Sequence, residues 1–289
     1  MAKLRTRKHK VVLARSAGGD AFITVILVIL GVFMFLPMLY VFMQALKPLD
    51  ELWMSPPRFY VMSPTLSNFT DLFQLMNTSW VPFSRYVFNT VLTSVAGTFG
   101  HLFLASLAAY CMAKIKFPGR NAMFWTVQTS LMFNSTVTTI TSFILMSALG
   151  WLDTYWALIV PAWCSSLGLY LMKQFMDTNI TDAVLEPARL DGARELRIYW
   201  TIAMPMVKPA WLTLIIYCFQ NLWNAGASMY IYSEQLKSFN YAIGQITAGG
   251  IKRAGASAAS VVMMMVPIIV FVISQSNIIE TMGSSGMKD

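Results

Sequence analysis

The sequence predicts an all-α membrane protein of six transmembrane helices, and three observations predict it. Hydrophobic residues make up 56% of the chain and charged residues 12%, against about 45–50% and about 25% in soluble domains. Six runs almost free of charge are each close to or above the roughly 20 residues that cross a hydrocarbon core about 30 Å thick. Runs of that length satisfy their backbone amides as helices, whereas barrel strands would be about half as long.

Residues 1–20 form a basic tail with Lys3, Arg5, Arg7, Lys8, Lys10 and Arg15. The remainder, 21–289, reads as one membrane domain. Its first span, about 21–46, exceeds a signal-peptide core, and no small-x-small cleavage pattern follows Leu46, so the segment is expected to stay attached as a helix. Residues 47–85 are punctuated by five prolines. Within them Phe69, Leu72, Phe73 and Met76 recur at helical spacing after a cap at Ser67, predicting a short amphipathic helix packed as a lid on the ends of the spans.

The second span, about 86–113, holds His101, the one ionisable group inside a span core. Gly97 and Gly100 beside it would let helices approach closely, so a structural hydrogen bond is the favoured role for the imidazole. The third span, about 122–149, carries Gln128, Asn134, Thr138, Thr139 and Ser142. A fourth covers about 154–174. The fifth, about 206–231, carries Tyr217, Gln220, Asn221, Trp223 and Asn224, and the sixth covers about 255–279. Uncharged hydrogen-bonding groups and aromatic faces suit a path for hydroxyl-rich solute, and Asn134, Thr138, Tyr217, Asn221, Trp223 and Asn224 are its candidates. The same side chains also serve to bind transmembrane helices together, and both readings stay open.

Fifteen of the 21 basic residues fall in the tail, the second-to-third and fourth-to-fifth connections, and at Lys288. Basic residues concentrate in cytoplasmic loops, so both termini are expected in the cytoplasm. The net charge of +8 then reflects that bias and attraction to anionic lipid, not nucleic acid. Lys252 and Arg253 stand before the sixth span, where they would either attract an acidic glycan or a binding protein's acidic rim or snorkel at the interface, and both readings stay open. Cys111, Cys164 and Cys218 have no pairing or metal-ligand spacing, and the 21 methionines read as adaptable packing groups. No metal or cofactor site is expected in this chain. There is no Gly-x-x-x-x-Gly-Lys-Ser/Thr loop, no His-Glu-x-x-His and no nucleophile elbow, so no enzymatic activity is expected.

The charged stretch at about 182–203 lies between two long apolar runs. Pro187 lacks a backbone donor and suits a helix's first turn, predicting a helix start near Val184 to Glu186. Gly192 permits a sharp turn. A second helical stretch from Ala193 would lead through Tyr199 and Trp200, as interfacial anchors, to Pro205. Charges of both signs, Glu186, Arg189, Asp191, Arg194, Glu195 and Arg197, favour a protein groove over anionic lipid as the surface this loop meets.

Glu186, Ala188, Gly192, Ile202 and Pro205 stand at the spacing of the Glu-Ala-Ala loop in permease subunits of ATP-binding cassette importers. Pro187 and Met204 depart from that pattern. Further likeness comes from Arg85-Tyr-Val-Phe-Asn-Thr, Ala108-Ala-Tyr, Phe117-Pro-Gly-Arg, Leu149-Gly-Trp-Leu-Asp-Thr-Tyr-Trp, Trp223-Asn224, Pro267, Gln275 and Ser285-Gly-Met-Lys. Together these resemble the maltose-type carbohydrate permeases, specifically the six-helix member of the pair.

The resemblance implies a type I importer permease fold in a bacterial or archaeal cytoplasmic membrane. It implies as partners a second permease, two ATPase subunits that bind ATP and Mg, and an extracytoplasmic solute-binding protein delivering an oligo- or polysaccharide. Glu186, Ala188, Arg189, Asp191, Gly192, Arg194 and Pro205 would then form the ATPase-coupling site. A different polar solute, or an ATP-independent channel or carrier, are the alternatives.

Overall fold

The computed structural model describes residues 17–77, 81–133, 135–226, 228–248 and 253–285. The basic tail, Asn134, Lys252 and Lys288 lie outside them, as does the side chain of Arg253. The regular structure of the described residues is helical: α1 Ala17–Leu46, α2 Leu49–Leu52, α3 Ser67–Asn77, α4 Phe83–Lys114, α5 Arg120–Ser130, α6 Ser135–Ala148, α7 Trp156–Trp163, α8 Ser166–Asn179, α9 Asp182–Leu190 and α10 Glu195–Ile198. A π-helical turn at Tyr199–Ala203 leads to α11 Met204–Met206, then α12 Lys208–Trp223, a 3-10 turn at Glu234–Leu236, α13 Phe239–Ala248 and α14 Arg253–Ser285.

Among the described residues three helices are long and apolar enough to cross a membrane, Gly18–Leu46, Ser84–Lys114 and Ser257–Gln275, and the bent pair Glu195–Met206 and Lys208–Trp223 makes a fourth if it counts as one span. The other predicted spans are interrupted. The third divides between α5 and α6, and the fourth between α7 and α8 at Cys164 and Ser165. The fifth ends at Trp223, eight residues short of its predicted limit of 231. Hydropathy sums across such breaks, because side chains from neighbouring helices satisfy the freed backbone groups without adding charge.

His101 shows how. It is 1% exposed, and its Nδ1 donates to the Trp163 carbonyl at 3.0 Å, an acceptor stranded where α7 ends. The Trp163 indole in turn donates to the Ala96 carbonyl at 3.0 Å. His101→Ala is expected to cost about 0.6–2 kcal/mol, the range for hydrogen bonds between membrane helices. Thermal retention of the assembled protein in detergent measures it, and unchanged retention would show the bond to be idle.

The fifth helix stops for a second reason. Asp153, at φ 57, accepts the amides of Tyr232 and Ser233 at 3.0 and 2.8 Å and the Ser233 hydroxyl. These bonds, with that from the Asp153 amide to the Tyr230 carbonyl at 2.8 Å, hold residues 230–233 against Asp153. They also keep the Asp153 carboxyl below its ordinary value, the Ser233 hydroxyl contributing most. A depressed carboxylate stabilises the fold above its unfolded value and loses that contribution as pH falls through the folded one. Protease cutting of this loop is therefore expected to rise only in acid; a rise near neutrality would contradict the assignment.

Two cores lie at opposite ends of α4. One gathers Ala109, Tyr110, Met172, Met176, Ile180, Leu185, Ile198, Tyr199 and Leu214. The other gathers Leu72, Tyr86, Trp223, Phe239, Ile243, Ala258 and Ala259. Tyr86 and Tyr110 are 24 positions apart, about 36 Å along a helix. The charged loop between α8 and α12 thus sits at one end of the bundle, and the lid formed by α3 and α13 sits at the other. Leu72 is buried in the second core and Phe69 packs against it, anchoring α3, whereas Phe73, predicted on the same face, is exposed.

Candidate functional site

The loop is built as a helix, a glycine turn, a second helix and a sharp bend. α9 starts at Asp182, so Pro187 is its sixth residue and not in its first turn, correcting the expected start near Val184 to Glu186. The missing amide removes one bond, to the carbonyl of Ala183. Ala183 is exposed and the helix ends three residues past the proline, which limits the cost.

The turn is a glycine C-cap of defined form. Gly192 has φ +76, its amide donates to the Arg189 carbonyl at 3.1 Å, and the Ala193 amide donates to the Ala188 carbonyl at 3.0 Å. These two bonds satisfy carbonyls that the end of α9 leaves unpaired, the Schellman arrangement. Its usual apolar partners, here Ala188 and Ala193, both pack on the first core. A physical reason for the small residue at 188 and the glycine at 192 follows: one lies under the turn, the other makes it.

Three side chains on one face of α4 clip the loop to the bundle. Ser106 shares a hydrogen bond with the Tyr199 hydroxyl at 2.6 Å. Tyr110 donates to Glu195 Oε2 at 2.6 Å. Lys114 lies 3.7 Å from Asp182, and its carbonyl accepts from Arg189 Nη2 at 3.2 Å. Positions 106, 110 and 114 are successive i, i+4 neighbours and share a helix face. Arg189 Nε also pairs with Glu195 at 2.8 Å.

Arg189 and Glu195 therefore face their own chain, correcting the reading in which all six loop charges meet a partner. Tyr199 likewise is buried and not an interfacial anchor, whereas Trp200 is exposed. Glu186, Asp191, Arg194, Arg197 and Pro205 are exposed. Between these charges stand Leu190, at 87% exposure, and Leu196. An apolar centre with a polar rim of both signs is the anatomy of a protein interface. Neither leucine is singled out by the sequence, since an isolated exposed leucine has no signature; Tyr110 is visible there only as part of Ala108-Ala-Tyr.

Partly exposed as it is, the Arg189 pair is worth at most about 1 kcal/mol. Burial of Leu185 and Ile198, about 1.5–3 kcal/mol each, holds the loop more strongly. The pair and the Tyr110 bond set direction. Arg189, and after it Tyr110, hold the Glu195 carboxyl below its ordinary value of 4.5. That contribution is present above pH 4.5 and is lost as pH falls through the lowered value. Tyr110→Phe is expected to lower stability by about 1 kcal/mol, read as earlier thermal dissociation of the complex, with a smaller difference from wild type in acid. Equal differences at all pH values would contradict the Glu195 partnership.

Past the loop, the chain bends by 81° between Glu195–Met206 and Lys208–Trp223. The Trp211 indole donates to the Met204 carbonyl across this bend at 3.2 Å. Along α12 and its capping residue, Thr213, Tyr217, Asn221 and Asn224 are exposed and recur at spacings of four, four and three, a single polar stripe. Polar groups facing lipid are costly, so this face needs water or protein against it.

Gln220 and Asn224 line a cavity of about 840 Å³ with Asn240 and Ser260. A second cavity of about 470 Å³ is lined by Thr139, Tyr230, Lys237 and Tyr241. Trp223 is not on the stripe. It is 4% exposed, and its indole donates to the Met263 carbonyl at 3.1 Å, so packing replaces its expected place in the path. Thr138 is exposed on α6.

The family described as binding-protein-dependent transport system inner membrane component matches residues 101–282. The sn-glycerol-3-phosphate transport system permease protein UgpE of Yersinia enterocolitica is 31% identical over 209 residues, covering 72% of this chain and 74% of that one. The polygalacturonan/rhamnogalacturonan transport system permease protein YtcP of Bacillus subtilis is 31% identical over 158 residues, covering 51% and 54%. Among solved structures, a chain of a bacterial ABC transporter involved in import of the acidic polysaccharide alginate superposes with TM-score 0.75. It covers 91% of this chain and 98% of that one at 23% identity, a likeness of fold.

Proposed function

Because this chain belongs to the binding-protein-dependent transport system inner membrane components, we propose that it is the permease subunit of an ATP-driven importer of oligo- or polysaccharide. It would form the translocation path with a second permease. Two ATPase subunits, holding ATP and Mg, would supply the energy, and an extracytoplasmic solute-binding protein would deliver the sugar. The observation that carries the reading is the loop from Asp182 to Met206. It is rigidly clipped to α4, capped at Gly192, and presents Leu190 and Leu196 to whatever it meets.

A six-span topology with both termini cytoplasmic puts that loop where ATPase subunits are. On this reading Glu186, Ala188, Asp191, Gly192, Arg194 and Pro205 face or shape the ATPase cleft, and Arg189 works from behind. Force on the loop reaches α4 through Ser106, Tyr110 and Lys114, and reaches α12 through the bend at Val207. The polar stripe Tyr217, Asn221 and Asn224 would line the path, with Thr138 of α6 as a further candidate.

Uptake into vesicles holding ATP, by the complex reconstituted with its binding protein, tests the whole. Saccharide accumulation that needs ATP is expected; ATP-independent flux of solute would overturn the importer reading. The sn-glycerol-3-phosphate relative, similar over the larger share of the chain, favours a second reading in which the cargo is a smaller polar solute. Competition between glycerol phosphate and oligosaccharides in the same assay separates the two.

A further inference from the structure

The segment between α1 and α3 is an ordered loop held by hydrogen bonds within itself and to the end of α1. Lys47, 2% exposed, donates to the Arg58 carbonyl. Asn68, 1% exposed, donates to the carbonyls of Ala45 and Lys47, both at 2.7 Å. Glu51 accepts the Met62 amide at 2.8 Å, and the Thr65 amide donates to Leu46 at 2.9 Å. What the framework leaves outside is apolar. Trp53, Met54, Phe59, Tyr60 and Met62 are exposed, Trp53 by 54% and Tyr60 by 60%. A water-facing surface rarely keeps such a patch uncovered.

The direction of the loop says what covers it. The Phe59 ring lies 5.1 Å from that of Tyr40, six residues before the end of α1 and so about 9 Å back along its axis. The loop folds down the flank of a helix whose Phe22 to Leu36 face is apolar and exposed, instead of standing above it. α1 has 30 residues, about 45 Å, which exceeds the hydrocarbon thickness of about 30 Å. Its terminal turns, with Phe59 beside them, therefore fall near the bilayer boundary. Tryptophan and tyrosine concentrate at that depth. Residues 53–62 carry one charged side chain, Arg58, which is little for a protein rim to pair with.

We propose that residues 53–62 form a membrane-dipping anchor, seated in the leaflet at the carboxyl end of α1 with Trp53, Phe59, Tyr60 and Met62 in the headgroup and upper acyl region. The anchor fixes the height of α1 and, through Asn68, the start of the α3 lid. The segment lies outside the stretch that the family matches, and the anchor requires membrane insertion alone, not a particular cargo or orientation.

The test is quenching of tryptophan emission in the assembled complex, reconstituted in phosphatidylcholine brominated at shallow or deep acyl positions. The Trp53 signal is wild type minus Trp53→Phe; Tyr60→Trp in the Trp53→Phe background gives a second probe. Shallow bromines should remove about half of each signal, and deep bromines less. Quenching by acrylamide without quenching by bromolipid would place the loop in water. Quenching by neither would place it under another protein. Each of these two results overturns the proposal.

Discussion

Replacing Gly192 by valine is expected to cut ATP-driven uptake by about 5–30-fold, the ratio that about 1–2 kcal/mol of backbone strain produces, while insertion and assembly persist. The reason is conformational and not steric. No atom lies within 4 Å of a β-carbon built at this position, yet its φ is +76. A β-branched residue must leave that region. When it does, the bonds from Gly192 and Ala193 to Arg189 and Ala188 break, and Leu190 no longer presents at the tip. Gly192→Asn should retain most uptake, because asparagine tolerates left-handed backbone. A valine variant that transports like wild type would show that the turn has no part in coupling. Equal losses for asparagine and valine would point to a contact with the glycine itself.

The second large effect is expected at Gly168, in the first turn of α8. A β-carbon there would lie 1.9 Å from His101 Nε2 and 2.7 Å from Cε1. The ring cannot swing aside without releasing the Trp163 carbonyl. Gly168→Ala is thus an overpacking substitution costing about 1–3 kcal/mol, read as a lower yield and earlier thermal loss of the assembled complex. The double variant with His101→Ala should be more stable than Gly168→Ala alone, since removing the imidazole makes room for the methyl group. Additive losses would mean that the two residues do not meet, and with that the close approach of α4 and α8 would be wrong.

Much of this arrangement is visible in the sequence because it rests on local rules. Composition and run length dictate a helical membrane chain, Gly192 dictates a turn, and a lone histidine beside small residues dictates a helix contact. What is hidden depends on partners distant in sequence. The breaks between α5 and α6 and between α7 and α8 occur inside uncharged runs, and the bond that makes the second one tolerable comes from His101, 62 positions before Trp163.

The inward turn of Arg189 and Glu195 depends on Tyr110, 85 positions before Glu195; loop charges otherwise read as facing outward. Pro187 misleads for a simpler reason. An internal proline costs a soluble helix one backbone bond and a clash, but α9 has nine residues and hardly has a middle. Trp223, aromatic and beside Asn224, reads as a sugar platform until its indole is found on Met263. Tyr217, Asn221 and Asn224 stay exposed as one stripe, as a polar face in an apolar run suggests.

The central claim is that the Asp182 to Met206 loop is where an ATPase subunit grips this protein. A photoreactive phenylalanine analogue in place of Leu190, in the complex assembled in native membranes, measures it directly. The account predicts a crosslink to the ATPase subunit whose yield changes with ATP. A crosslink confined to lipid or to the extracytoplasmic binding protein would contradict it.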